Sequence, residues 1–324
     1  MSIDISQVPE ILEASTWEYV LRDYERTPMV YPLLGDVRPV PANKLYGDKG
    51  STSVGLGQPI EFEDGEEISA DTDETAYTWQ LKQRQFGRKF FISRRLLQTM
   101  SAEGLGDYIA AQTAGWGEKF ALFKDDLIAG MFQKGTLTAG STTYFDGSFP
   151  GNLDPNRGFI YDGLPWFDGA HTLAASSGTK SNISTSLTLS RDNLQTAITT
   201  MESTNAVDER GERVNIMGNT LLVPPGLEFS ARQIVGSALT SDQNQLNPIQ
   251  GRLNVVPWRA LTDDADAWWI GQSGKGLRIH DSGAPQIRVA EVPHRDGFEV
   301  YAVGSFGAAV TNWRYWYSAN KADS

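Results

Sequence analysis

The chain contains no cysteine. Disulfide bridges, thiolate metal sites and thiol nucleophiles are therefore excluded, and the absence fits synthesis in a reducing compartment. Histidine is scarce too, with His171, His280 and His294 as its three members. No two of them stand at metal-ligand spacing and none belongs to an HExxH pattern, so no metal site is expected from them. Positive charge is in deficit: 28 Lys and Arg against 40 Asp and Glu give a formal net charge of −12. Tight binding to a phosphate backbone uses clustered cations that release counterions, and this balance argues against it. Long hydrophobic runs are missing as well. No window approaches the roughly 18 consecutive apolar residues of a membrane helix. The first ten residues carry no basic stretch followed by an apolar one, so no signal peptide is expected.

What is present suits a folded globular chain. Its 324 residues, 40% of them apolar, suffice for one large or two ordinary domains. No internal repeat is visible. Residues 8–22 read as a short amphipathic helix with Ile11, Leu12, Trp17 and Leu21 as its apolar members. Residues 27–60, rich in Pro and Gly, read as an extended arm running into a loop. Eight of the fourteen residues from 61 to 74 are acidic: Glu61, Glu63, Asp64, Glu66, Glu67, Asp71, Asp73 and Glu74. The sign then reverses. Thr75–Ser101 has no acidic residue, whereas Lys82, Arg84, Arg88, Lys89, Arg94 and Arg95 are basic. Within it Tyr77, Trp79 and Leu81 alternate with polar neighbours, as in a half-buried strand. The block is either a solvated loop beside a basic strand or a charge-separated projection that pairs with a neighbouring copy.

Residues 101–132 hold the longest helical signal. Leu105, Ile109, Thr113, Trp116, Phe120, Phe123, Leu127 and Met131 recur at steps of three or four, predicting one continuous helix. Gly104, Gly106, Gly115 and Gly117 weaken its propensity by up to about 1 kcal/mol each. Packing must therefore hold it, with Gly115 and Gly117 allowing a close backbone approach beside Trp116. Residues 133–188, dominated by Gly, Ser, Thr, Asn and aromatics, suggest short strands and long loops. Further helices are expected at 190–203, with Ser190 as N-cap, and at 225–239, with Pro225 in the first turn. The C-terminal third alternates as strands do. The sum is an α+β fold with mainly antiparallel sheet.

Searches for chemistry return little. GQSGKGLR at 271–278 lacks both the spacing of a phosphate loop and the Ser or Thr after its lysine. Asp71 and Asp73 do not continue into a calcium loop. Asp263, Asp264 and Asp266 suit a polar turn before the apolar AWWI better than an acid–base pair or cation site. The tryptophans crowding the C-terminal third fit cores and interfaces. No catalytic residue, cofactor or metal is assigned.

Three segments carry a resemblance: PWFDGAHT at 165–172; NTLLVPPGLEFSARQIVGS at 219–237 with RLNVVPWRALTDDADAWWI at 252–270; and GFEVYAVGSFGAAVTNWRYWYS at 297–318. In this order and spacing they resemble the major head subunits of Mu-like phages and prophages. The resemblance implies the Hong Kong 97-type capsid fold and a structural protein rather than an enzyme. It implies an N-terminal arm (1–40), an extended two-stranded loop (41–90), and a peripheral domain (91–189) with a spine helix at 101–132. A mainly axial domain (190–295) and a return to the peripheral sheet (296–324) follow. It further implies pentamers and hexamers in an icosahedral shell enclosing double-stranded DNA, without sequence-specific binding. A separate scaffolding protein, a portal and a decoration protein would be partners, and assembly would take place in the host bacterial cytoplasm with no membrane. Glu61, Glu63, Asp64, Glu66 and Glu67 would meet Lys82, Arg84, Arg88 and Lys89 of a neighbouring copy. Two alternatives stay open: an encapsulin-type compartment around a protein cargo, and a carbohydrate-binding or hydrolytic phage-associated protein.

Overall fold

A row of residues four apart, Leu12, Thr16, Val20 and Tyr24, is the buried face of the first helix in the computed structural model. The structure describes residues 8–39, 48–55, 59, 61–64, 67, 74–81, 83–99, 102–136, 160–238 and 246–320. In chain order the first elements are α1 (Val8–Arg26), α2 (Tyr31–Leu34), β1 (Asp36–Pro39), β2 (Asp48–Ser53), β3 (Thr75–Leu81) and β4 (Arg84–Ser93). Then come α3 (Arg94–Thr99), α4 (Ala102–Thr113), α5 (Trp116–Gln133), β5 (His171–Thr172), β6 (Thr179–Lys180) and β7 (Ile183–Ser184). After these lie α6 (Arg191–Thr199), β8 (Thr220–Val223), α7 (Glu228–Gly236), β9 (Asn254–Pro257) and β10 (Trp268–Gly271). The last are β11 (Leu277–Asp281), β12 (Gln286–Val292), β13 (Gly297–Val310) and β14 (Trp316–Ala319).

Several sequence expectations need correction. The 27–60 segment is not wholly extended, since the helix α2 interrupts it. The first helix runs on to Arg26, and its face turns so that Trp17 is 39% exposed. The single helix expected at 101–132 is two, α4 and α5, broken at Gly115, whose φ of 71° is left-handed. A side chain there would strain the backbone, so glycine sets the break. The apolar face nonetheless continues across it: Leu105, Ile109, Thr113, Trp116, Phe120, Leu127 and Met131 are all buried. Gly117 makes the close approach expected of it. An added Cβ would lie 2.1 Å from the Val20 carbonyl oxygen and 2.4 Å from the Tyr24 nitrogen, so α1 and α5 touch backbone to backbone. Ser190 caps α6 by accepting a hydrogen bond from the Asn193 amide, as its position before the helix predicts.

Two five-stranded sheets carry the rest. In the first, β13 is the hub: β4 runs along one side of it, and β11 and β12 follow one another along the other. β1 adds to β11 in parallel. The second has the order β7-β14-β10-β8-β9, parallel at its β7/β14 and β8/β9 pairs. Antiparallel pairs prevail among the described strands.

One aromatic core joins the two sheets. Phe132 of α5 lies within 4.6–6.2 Å, centroid to centroid, of Trp166, Phe167, Trp258, Trp269 and Trp316. The same cluster takes Leu222 from the second sheet and Ile279 and Phe306 from the first. A second apolar cluster lies under α6 and α7, and a third between α1, α4, α5 and the first sheet. Buried polar groups tie the N-terminal elements in. Lys124 Nζ donates to Asp281 and to the Tyr24 hydroxyl, and the Tyr31 hydroxyl donates to Asp281. Asp125 accepts from the amides of Val30 and Tyr31, both at 2.9 Å, and from the Trp258 indole.

Candidate functional site

Alternation along β3 decides how the charge-reversing segment is held. Trp79 and Leu81 point one way and are buried against Ala309, with Tyr161 packed beside them. The Arg278 guanidinium sits 5.3 Å from the centre of the Trp79 ring. β2 pairs antiparallel with β3 from Asp48↔Leu81 to Ser53↔Thr75, and the Val54 amide extends the ladder to the Glu74 carbonyl at 2.8 Å. Gly50 lies where any Cβ would meet the Trp79 ring at 2.2 Å, so the ribbon closes over the indole only with glycine there. Below, Gln83 Nε2 lies 3.0 Å from His280 Nδ1, and Asp48 lies 3.7 Å from its Nε2. A two-stranded ribbon is marginal alone; here its base is anchored on the first sheet.

Beyond the ribbon, Glu61, Glu63, Asp64 and Glu67 are exposed, and Phe62 among them is 54% exposed. Glu66 and Lys82, together with Asp71 and Asp73, lie outside the described residues. Among the described residues, the basic side chains Arg84, Arg88 and Lys89 do not share one face. β4 belongs to the first sheet rather than to the two-stranded ribbon, so Arg84, Arg88 and Lys89 sit on the body. Alternation puts Arg88 on the same face as Phe86 and Phe90, the face covered by α5, where Phe86 packs on Phe123 and Phe90 on Trp116. Lys89 points to the other face and donates to both carboxylate oxygens of Glu299, at 3.0 and 2.9 Å. Glu299 also accepts from the Tyr301 hydroxyl, and that bond followed by Lys89 holds its carboxyl below the usual range. Lys89 therefore has its counter-charge within the chain. Arg84 is half-buried.

Sequence reasoning missed the groove that Arg88 helps to line. About 540 Å³ in volume, it runs between β4 and α5, over Phe86, Trp116, Phe120 and Phe123, with Arg88 and Lys119 as its cations. Phe123 belonged to the helical stripe in the sequence, yet it is 36% exposed. The local signal was the alternation of Phe86 and Arg88, which places an aromatic and a cation on one strand face.

Other candidate residues are structural. His171 is fully buried, with Nδ1 2.6 Å from Asp162, Nε2 3.1 Å from Asn182 Oδ1, and its ring stacked on Trp313 at 4.3 Å. Both ring nitrogens have hydrogen-bond partners, and the stack on Trp313 ties PWFDGAHT to the C-terminal segment. Asp263, Asp264 and Asp266 form the turn before β10. In GQSGKGLR, Gly274 and Gly276 have φ of 74° and 77°, turning the chain from β10 into β11. Among the described residues no three His, Asp or Glu side chains gather as a metal site, and no helix is long and apolar enough to cross a membrane.

Comparisons with known proteins converge. A family model described as phage capsid protein matches residues 77–319. The capsid of Ralstonia phage GP4 superposes with a TM-score of 0.54 at 14% identity, covering 91% of each chain. The capsid of the cyanophage P-SCSP1u superposes with a TM-score of 0.52 at 11% identity, covering 92% of this chain and 90% of that one. No curated protein matches the chain by sequence.

Proposed function

The chain belongs to the phage capsid protein family and has the Hong Kong 97-type fold, and from that premise we propose that its copies join head to tail into pentamers and hexamers of an icosahedral shell around double-stranded DNA. It is a structural subunit of the virion capsid. The finer picture is supported above all by the ribbon of β2 and β3: its base is fixed to the body while its far end carries exposed acids. A projecting element and the surface that receives it lie on different parts of one molecule, so the contact is heterologous, the kind that closes rings.

In this proposal the domains follow the division implied by resemblance to Mu-like head subunits (arm at 1–40, loop at 41–90, peripheral domain at 91–189 and 296–324, mainly axial domain at 190–295), except that the loop ends before β4 and that β4, β11 and β12, which pair with β13, go with the peripheral sheet. The acidic block 61–67 would meet the basic face of a neighbour at Arg88, with Arg84 and Lys82 nearby in sequence. Lys89 contributes less, since Glu299 already neutralises it. The subunit acts through shape and carries no catalytic function. Its net charge of −12 opposes non-specific adhesion of the packaged DNA's phosphate backbone. A separate scaffolding protein, a portal and a decoration protein complete the assembly in the bacterial cytoplasm.

Electron microscopy of the overexpressed chain tests this. Closed shells or rings are expected, with nuclease-protected DNA in particles from infected cells. Monodisperse monomers at every concentration would refute it, and a protein cargo in place of DNA would favour a compartment instead.

A further inference from the structure

We propose that Phe62 and its flanking carboxylates seat in the aromatic groove between β4 and α5 of a second copy of this chain. The inference rests on the shell-subunit function proposed above and adds the contact through which two copies meet.

Phe62 is a large apolar side chain that its own described surroundings leave 54% exposed. The groove is its counterpart: about 540 Å³ floored by Phe86, Trp116, Phe120 and Phe123. That volume falls within the range of about 300–1,000 Å³ that admits a ring-sized ligand with room to spare. Phe123 is itself 36% exposed. Two apolar surfaces that each face water in the single chain gain by covering one another, and an aromatic ring entering an aromatic floor finds edge-to-face partners.

Charge selects the occupant. Glu61, Glu63 and Asp64 sit beside Phe62 in the sequence, and the exposed polar side chains lining the groove include the cations Arg88 and Lys119. Seating the ring brings opposite charges together at its edge. Copies carrying −12 each repel in most orientations. An approach that sets acids against these two cations offsets that repulsion at the groove's edge, so the same feature that attracts also favours one register. Each copy offers one knob and one groove, and the contact passes from copy to copy around a ring.

The absence of cysteine gives a clean test. Pro59→Cys beside the knob and Gln85→Cys on the groove lining, neither of them a charge of the contact, are introduced together and singly into the full chain, which is assembled and treated with a short bismaleimide. Expected are crosslinked dimers and higher multiples from the double variant, and monomers from either single variant, on denaturing gels. A second variant, Phe62→Ala, should keep the wild-type melting temperature and lower the assembled fraction about tenfold, the order expected for one lost buried ring. Phe62→Leu should restore most of it. Shells that form normally while the double variant stays uncrosslinked, or crosslinks only within one chain, would overturn this contact and leave the shell function standing. Wild-type chains that never associate would overturn both.

Discussion

Asp125 shows how one buried carboxylate fixes several elements. It gathers the start of α2 and the Trp258 indole onto α5, and burial raises its pKa above the ordinary 3.8 despite the three hydrogen bonds it accepts. Asp125→Ala leaves these donors unsatisfied and should cost about 3 kcal/mol in urea unfolding. The raised pKa also has a sign. Above pH 3.8 the unfolded chain has released this proton while the folded chain still holds it, so stability falls as pH rises until the folded carboxyl ionises too. Asp125→Asn should flatten that slope. An unchanged slope, measured from pH 4 to 7, would show that Asp125 does not cause it. At the surface, Arg88 and Lys89 separate two roles that adjacent positions conceal. Arg88→Glu should block assembly at an unchanged melting temperature. Lys89→Glu should lower the melting temperature, because it confronts Glu299 directly. Equal effects of both on assembly alone would contradict the division of the two faces.

Among elements, the ribbon and the broken helix differ in what they owe to the rest of the fold. Towards its far end the described ribbon meets the body at Tyr77, whose hydroxyl lies 3.3 Å from Thr172, and at Val54, which is buried. Joining Gly55 to Glu74 by a short glycine-rich turn keeps both residues and should leave the unfolding transition nearly unmoved while abolishing shell formation. A large loss of stability would mean the segment supports the core. Gly117→Ala should instead destabilise by about 1–3 kcal/mol, because its methyl enters the backbone of α1. Much of this layer was legible beforehand. The stripe from Leu105 to Met131, the Ser190 cap and the alternating C-terminal strands express local periodicities of 3.6 and 2. The break at Gly115 was not, since a glycine within a helical stripe serves equally as a close-contact point or a left-handed turn; Gly117 and Gly115 took one role each. The end of the ribbon was misplaced because β4 has the same alternation whether its partner is local or lies some 200 residues on in β13. The groove was invisible for the same reason: it needs a strand and a helix brought together by tertiary packing.

At the scale of the whole molecule, the shared aromatic core makes the two sheets one cooperative unit. Phe132 touches tryptophans that belong to the second sheet and to the loops between the sheets, in the same cluster as β11 and β13. Phe132→Ala should cost about 3–5 kcal/mol and lower a single transition, with amide protection falling in β10 and β13 together. Protection lost from one sheet alone would mean that they unfold separately. The position of β14 adds a constraint on timing. It is fully buried, lies between β7 and β10 within its sheet, and brings Trp316 against Phe132. Neither the sheet nor the aromatic core can close until the ribosome has passed residue 319. Interrupted translation thus yields chains without a finished core, and a lattice of identical parts is screened for incomplete ones before the first two copies meet.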